Sequence, residues 1–312
     1  MEVIRIENLV KRYGSFEALR GISFKVSRGE LHGFLGPNGA GKTTTIKILV
    51  GLLRADGGKA YLYGEEVSPK NYVIREKVGY MPELPKFPPW LTAHELLDMY
   101  GRMYGMRRGE REERIAEVLE FVGLKEHASR RISAYSKGMQ QRLGMAQALL
   151  HNPDLLILDE PTAGMDPEGM HAIREMLKRL AEVGKTIFLS SHLLFEVQQI
   201  CDHVTIINYG RILFSGELKK LIEKLQSKLV VRVEVKDLDA NIVRAVEALK
   251  GVERVEVISS NTMKVVFEDR ADRRDEVSRA VYESGGLILG MKVEEPSLEE
   301  AYLALVRGER SG

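Results

Sequence analysis

One cysteine, Cys201, and one tryptophan, Trp90, occur among 312 residues, and no apolar run approaches the roughly 18 to 20 residues needed to span a bilayer. A lone thiol cannot form an internal disulfide. Set in Val197-Gln198-Gln199-Ile200-Cys201, it reads as a small buried hydrophobe in a reducing compartment. The start, Met1-Glu2-Val3-Ile4-Arg5, lacks the layout of a signal peptide, so the sequence predicts a soluble, cytoplasmic chain. An excess of one charge is also missing. The 46 basic and 45 acidic residues leave a net charge of +1, which removes any broad electrostatic case for nucleic acid or an anionic membrane surface. Only seven Asn and six Gln accompany abundant Lys, Arg and Glu, a balance that points to a thermophilic source.

What is present suffices for two cores: 44% of the residues are apolar, and the length suits a main domain of about 200 residues plus a smaller one. Glu2 to Arg28 reads as short strands around a polar turn, and Leu31-His32-Gly33-Phe34-Leu35 as a strand running into a glycine-rich loop. From Thr44 to Leu53, Ile46, Ile48, Leu49, Leu52 and Leu53 form a helical face. Four prolines between Tyr80 and Trp90 exclude regular structure there, and Thr92-Ala93-His94-Glu95 is a capping box that opens a mostly helical section to about Leu150. Leu155 to Leu158 and Thr186 to Leu189 are continuous apolar runs that suit parallel strands covered on both faces, with a further strand at Val204 to Ile207. After a charged helical linker near Glu217 to Lys228, the order strand, helix, strand occurs twice, ending on a strand from Leu287 to Val293. That pattern predicts a small α+β ferredoxin-like domain. A second capping box, Ser297-Leu298-Glu299-Glu300, opens a last helix with an apolar stripe of Leu298, Tyr302 and Leu305. The expected domains are 1–222, with its helical part at about 84–150, and 223–312.

Gly36-Pro37-Asn38-Gly39-Ala40-Gly41-Lys42-Thr43, with Thr44 following, matches the full phosphate-binding loop between a strand and a helix. Its glycines let backbone N–H groups turn inward around a polyphosphate. Lys42 would reach the β- and γ-phosphates, Thr43 would hold Mg²⁺, and the helix N-terminus favours the anion. The plainer alternative is a loop of ordinary structural use. Asp159 and Glu160 close the strand after Leu155, at the sheet edge where such folds bind ligands. Asp159 would complete the Mg²⁺ shell, while Glu160 would orient and deprotonate the water that attacks the γ-phosphate. A solvated acidic strand end is the alternative there.

Ala134-Tyr135-Ser136-Lys137-Gly138-Met139-Gln140-Gln141-Arg142 resembles the signature motif of ABC ATPases. With the spacing to Glu160, Ala163-Gly164-Met165-Asp166 and His192, the resemblance covers residues 3 to 216, about two-thirds of the chain. It implies an α/β P-loop NTPase domain with a helical subdomain. It also implies an ATPase that binds ATP and Mg²⁺ as a head-to-tail dimer, Ser136 and Gly138 of one copy closing over ATP held by the other. Ser136 can equally be an ordinary helix cap. By the same resemblance His192 is the switch histidine that senses the γ-phosphate, Asp166 lies in the loop linking the two sites, and Tyr13 stacks on adenine. A tyrosine in a β-rich segment also serves as core or surface. Glu83 stands where the family commonly has a glutamine on Mg²⁺ and the attacking water; a carboxylate can still ligate the ion but adds negative charge near the phosphates.

Tyr135, Lys137 and Met139 replace the leucine, glycine and glutamine usual in the signature, and with the C-terminal extension they resemble ATP-binding subunits of drug, sodium or polysaccharide exporters. The implied partners are a second ATP-binding subunit and separate integral membrane permease subunits, which would hold the chain on the inner face of the cell membrane. Leu84 to Leu91, with Phe87 and Trp90, is a candidate surface for docking them, or a segment packed under the helical part. A rival class, an ABC ATPase that remodels nucleic acid or ribosomes, usually has two cassettes, a long coiled coil or a basic surface, none of which is visible, so no nucleic-acid partner is expected.

Overall fold

In the computed structural model, residues 1–68, 76–225, 229–294, 298, 299, 302, 303 and 305 are described. The chain divides into two compact units, Met1–Leu218 and Lys219–Gly312.

The first unit opens with two twelve-residue strands, β1 (Glu2–Tyr13) and β2 (Phe16–Ser27), longer than the alternation suggested because bulges interrupt their pairing without ending it. Next come β3 (Leu31–Leu35), α1 (Lys42–Leu49), β4 (Gly57–Leu62), β5 (Glu65–Glu66) and β6 (Val78–Met81). The helical section holds α2 (Ala93–Met103), α3 (Arg108–Phe121) and α4 (Lys137–Leu149). The unit continues with β7 (Leu155–Asp159), α5 (Pro167–Glu182), β8 (Thr186–Ser191), α6 (Leu194–Ile200), β9 (His203–Asn208) and β10 (Arg211–Glu217), and α7 (Leu218–Leu225) leads out of it.

Two sheets result. β2-β1-β4-β5 is antiparallel, whereas β10-β9-β3-β8-β7-β6 is parallel except for β10 at its edge. β3, β7 and β8 are buried along their whole length, as continuous apolar strands covered on both faces must be. A single core joins the sheets through α1: Ile4, Phe24, Phe34, Ile46, Ile157 and Phe188 are all buried in it. α5 and α6 pack beside β8 and β3. Helix α1 stops at Leu49, short of the expected Leu53, because Val50 caps it and Gly51 turns to φ 70°; Leu52 is 64% exposed and leaves the apolar face. The expected capping box is present at α2, where Thr92 Oγ1 accepts from the Glu95 N–H and the Glu95 carboxylate accepts from the Thr92 N–H. Cys201 is buried, and burial pushes its thiol well above the ordinary value.

The second unit contains β11 (Val230–Lys236), α8 (Ala240–Glu247), β12 (Val252–Ser259), β13 (Thr262–Phe267), α9 (Arg274–Glu283) and β14 (Leu287–Val293). Its antiparallel order β12-β13-β11-β14 places the first and third strands at the centre, the ferredoxin-like arrangement. Val231, Val233, Val235, Met263, Val265 and Phe267 fill its core with Val277 and Val281 of α9. Ser297 and Glu300 of the proposed second capping box lie outside the described residues. Leu298 is fully buried.

Candidate functional site

The loop after β3 bends because residues 36 and 41 have no room for a side chain. A Cβ on Gly36 would fall 2.2 Å from the Ile207 carbonyl oxygen, and Gly41 combines φ 112° with a would-be Cβ 2.7 Å from Leu19. Gly41 is the N-cap of α1 and offers no side chain; the first turn carries no acidic residue either. The first-turn N–H groups therefore face the loop with the positive end of the helix uncompensated, a ready anion seat.

Lys42 stands at the start of that helix and is buried. Its ammonium donates to the carbonyls of Gly36 at 2.7 Å and Pro37 at 3.3 Å, and pairs with Glu160 Oε1 at 3.2 Å. The second Glu160 oxygen meets His192 Nδ1 at 2.8 Å, so with Glu160 ionised Nδ1 carries the proton. Three separate segments, the P-loop, the end of β7 and the turn after β8, thus converge on one carboxylate. Glu160 takes φ 49°, a left-handed conformation that costs a non-glycine residue about 1 kcal/mol or more. Its backbone N–H donates to Ser190 Oγ at 3.0 Å and its carbonyl accepts from the Ala163 N–H, which hold the turn in place.

Asp159 is paired in register with Ser190 on β8. Ser190 Oγ donates to Asp159 Oδ1 at 2.6 Å, and Thr43 Oγ1 donates to the same oxygen at 3.3 Å. Burial pushes the Asp159 carboxyl above its ordinary value, against the hydrogen bonds from Ser190 and Thr43; the charge on Glu160 pushes it the same way as burial. Tyr80 on β6 is pushed up to about 12, first by burial and then by the Asp159 charge. Ser190 links both carboxylate residues, yet sequence reasoning passed over it, because only the pairing of β7 with β8 brings it to Asp159.

Other expected residues lie outside this cluster. Ser136 caps α4, accepting from the Met139 N–H at 3.2 Å, and is exposed; Gly138 lies against Met165 and the Lys137 side chain against Gly164. Among the described residues no hydrogen bond or ion pair joins Ser136 or Gly138 to Lys42, Asp159 or Glu160. Asp166 is exposed and caps α5, accepting from the Gly169 N–H at 2.9 Å. Tyr13 ends β1 opposite Phe16; both rings are about half exposed, and Phe16 is a second aromatic that the sequence reading overlooked. Glu83 is exposed, its backbone carbonyl accepting from Gln141 Nε2 at 3.0 Å.

The sequence model of the ABC transporter family matches residues 19–163. The linearmycin resistance ATP-binding protein LnrL of Bacillus subtilis is 36% identical over 307 residues, covering 97% of this chain and 98% of that protein. The bacitracin transport ATP-binding protein BcrA of Bacillus licheniformis is 35% identical, covering 99% of each. Among solved structures, an ATP-binding subunit of an ABC transporter superposes with a TM-score of 0.65 at 32% identity, covering 71% of this chain and 92% of that one. A dimeric ATP-binding cassette in a post-hydrolysis state with ADP and Pi gives 0.64 at 26% identity, covering 69% and 98%.

Proposed function

The chain belongs to the ABC transporter family as an ATP-binding, ATP-hydrolysing subunit, and we propose that it works as a head-to-tail dimer that drives export through separate membrane subunits. The observation that carries this reading is the convergence of Lys42, Glu160 and His192 at the carboxyl edge of the parallel sheet while Ser136 stays exposed on another helix N-terminus. One chain holds a cradle, a base and a histidine; the signature turn of a second copy supplies what is missing. Polyphosphate would take Lys42 from Glu160 and the loop carbonyls, because its charge exceeds that of a single carboxylate. Glu160, released from Lys42 and still held by His192, is then placed to accept a proton from the attacking water. His192 and Asp166 complete the catalytic and dimer-contact set, and Tyr13 the adenine platform.

Thr43 and Asp159 offer only oxygen donors, side by side, the set a Mg²⁺ ion takes. The ion would supply neutralisation of the phosphate charge there. It would also offset the burial that raises Asp159. We assign Glu83 as a third, outer oxygen donor.

Residues 1–222 form the ATP-binding domain in this reading and 223–312 an accessory domain. No helix among the described residues is long and apolar enough to cross a membrane. An apolar cavity of about 350 Å³ lined by Leu52, Tyr80, Pro85, Phe87 and Tyr100, with Leu84 and Trp90 exposed in the same proline-rich stretch, is the surface we assign to a membrane subunit. Two relatives matched over nearly their full length are named for linearmycin resistance and bacitracin transport, which supports drug export from the inner face of the membrane. Glu160→Gln tests the composite site: it should bind MgATP, release no phosphate and accumulate as an ATP-dependent dimer by light scattering. Persistent monomer at saturating MgATP would sink the two-copy reading.

A further inference from the structure

Helix α6 follows His192 directly, and two of its side chains are buried, Glu196 and Val197. Val197 packs over Gly33, where a Cβ would fall 2.5 Å from Val197 Cγ1. Glu196 points instead to the loop behind the other half of the site. Its Oε2 accepts from Thr162 Oγ1 at 2.7 Å, and both residues are buried. Its Oε1 is buried with no hydrogen-bond partner among the described residues. A leucine would fill that space without desolvating a carboxylate, so packing alone does not account for glutamate here.

The position of Thr162 shows what the bond joins. Thr162 lies two residues after Glu160, and its carbonyl accepts from the Met165 N–H at 3.2 Å, so it sits midway in the turn from Glu160 to Asp166. Glu196 lies four residues after His192. The Thr162–Glu196 bond therefore bridges the two segments that carry the Glu160–His192 contact of 2.8 Å. His192 itself is 42% exposed.

We propose that the Thr162–Glu196 hydrogen bond is a tether that sets His192 against Glu160, making both of its members positioning residues for hydrolysis. This rests on the roles given to Glu160 and His192 above. The tether also ties the His192 segment to the loop that ends at Asp166, so displacement of either moves the other.

Steady-state hydrolysis by the full chain tests it. Thr162→Val keeps the shape and removes the donor. Its kcat for MgATP is expected to fall about tenfold, as small misplacements of catalytic groups do, with KM changed by less than about threefold. Glu196→Gln retains a carbonyl for the Thr162 hydroxyl and should keep most of the parent kcat. Glu196→Leu should match Thr162→Val, and the double variant should be no slower than either single one. Additive losses, or a Gln variant as slow as the Leu variant, overturn the tether. Backbone hydrogen exchange supplies a readout independent of turnover: in Thr162→Val, amides 162–166 and 193–197 should exchange faster together. Unchanged exchange in 193–197 overturns the proposal. Failure of the underlying reading looks different, with parent protein that binds MgATP yet releases no phosphate, and the exchange result still decides the tether.

Discussion

Of the fifteen buried polar or charged residues in the described structure, only Thr262 belongs to the second unit; the rest lie in the first. Both units set helices against a sheet, and both fill the space between with branched aliphatic and aromatic side chains. The second keeps its ion pairs, such as Arg232–Glu294 and Lys264–Glu294, on partly exposed positions. The first draws Lys42, Asp159, Glu160 and Glu196 inside. Buried ion pairs are poor sources of stability, because desolvation offsets most of their attraction. The buried Lys42–Glu160 pair, with Asp159 beside it, marks the first unit as the one whose interior is arranged for chemistry, whereas the interior of the second is almost wholly apolar.

The largest expected effect that would break this comparison is at Lys42. Lys42→Met should lower phosphate release by about a thousandfold or more, since on the proposed function it removes the charge that meets the transferred phosphoryl group. Near-parental turnover would dissolve the distinction between the units. Next is the apolar core of the second unit. Phe267→Ala removes a fully buried ring and should cost about 3 to 5 kcal/mol of that unit's stability in chemical denaturation, while the affinity of the first unit for MgATP stays unchanged. A parallel loss of nucleotide affinity would show that the two cores are not independent.

The smallest effect sharpens the comparison through pH. Burial raises the Asp159 carboxyl above 3.8 in the folded protein. The unfolded chain therefore releases this proton first as pH rises, and in that window the folded state binds more protons, so stability contributed at this position falls with rising pH. Asp159→Asn has no such proton to release. Without Mg²⁺ and nucleotide, its stability relative to the parent should improve as pH rises from 4 to 7 in thermal melts, even as hydrolysis is lost. A flat difference across that range would mean that Asp159 is not held at a desolvation cost.

The second unit was legible almost strand by strand, because its alternation Val231-Arg232-Val233-Glu234-Val235 states which face is buried. The first unit was legible where runs are wholly apolar and where the loop chemistry is specific. It was less so at β4, β5 and β10, which carry charged or glycine-rich sequences and owe their place to neighbours that pair with them. Ser190, Thr162 and Glu196 had no motif to announce them. A serine in an apolar strand or a glutamate on a short helix has no stated direction until the sheet order sets β7 beside β8.

By itself the sequence determined the phosphate loop, the carboxylate pair at the end of β7, the ordered signature and histidine, and the family to which they belong, because each is local chemistry at fixed spacing. Tertiary structure alone decided that Lys42 and His192 meet on opposite oxygens of Glu160, that Ser190 serves both carboxylate residues, and that Ser136 stands apart from them. Spacing along a chain fixes which groups are available. Only the register of β3, β7 and β8 fixes the distances between them, and proton transfer and charge stabilisation depend on those distances.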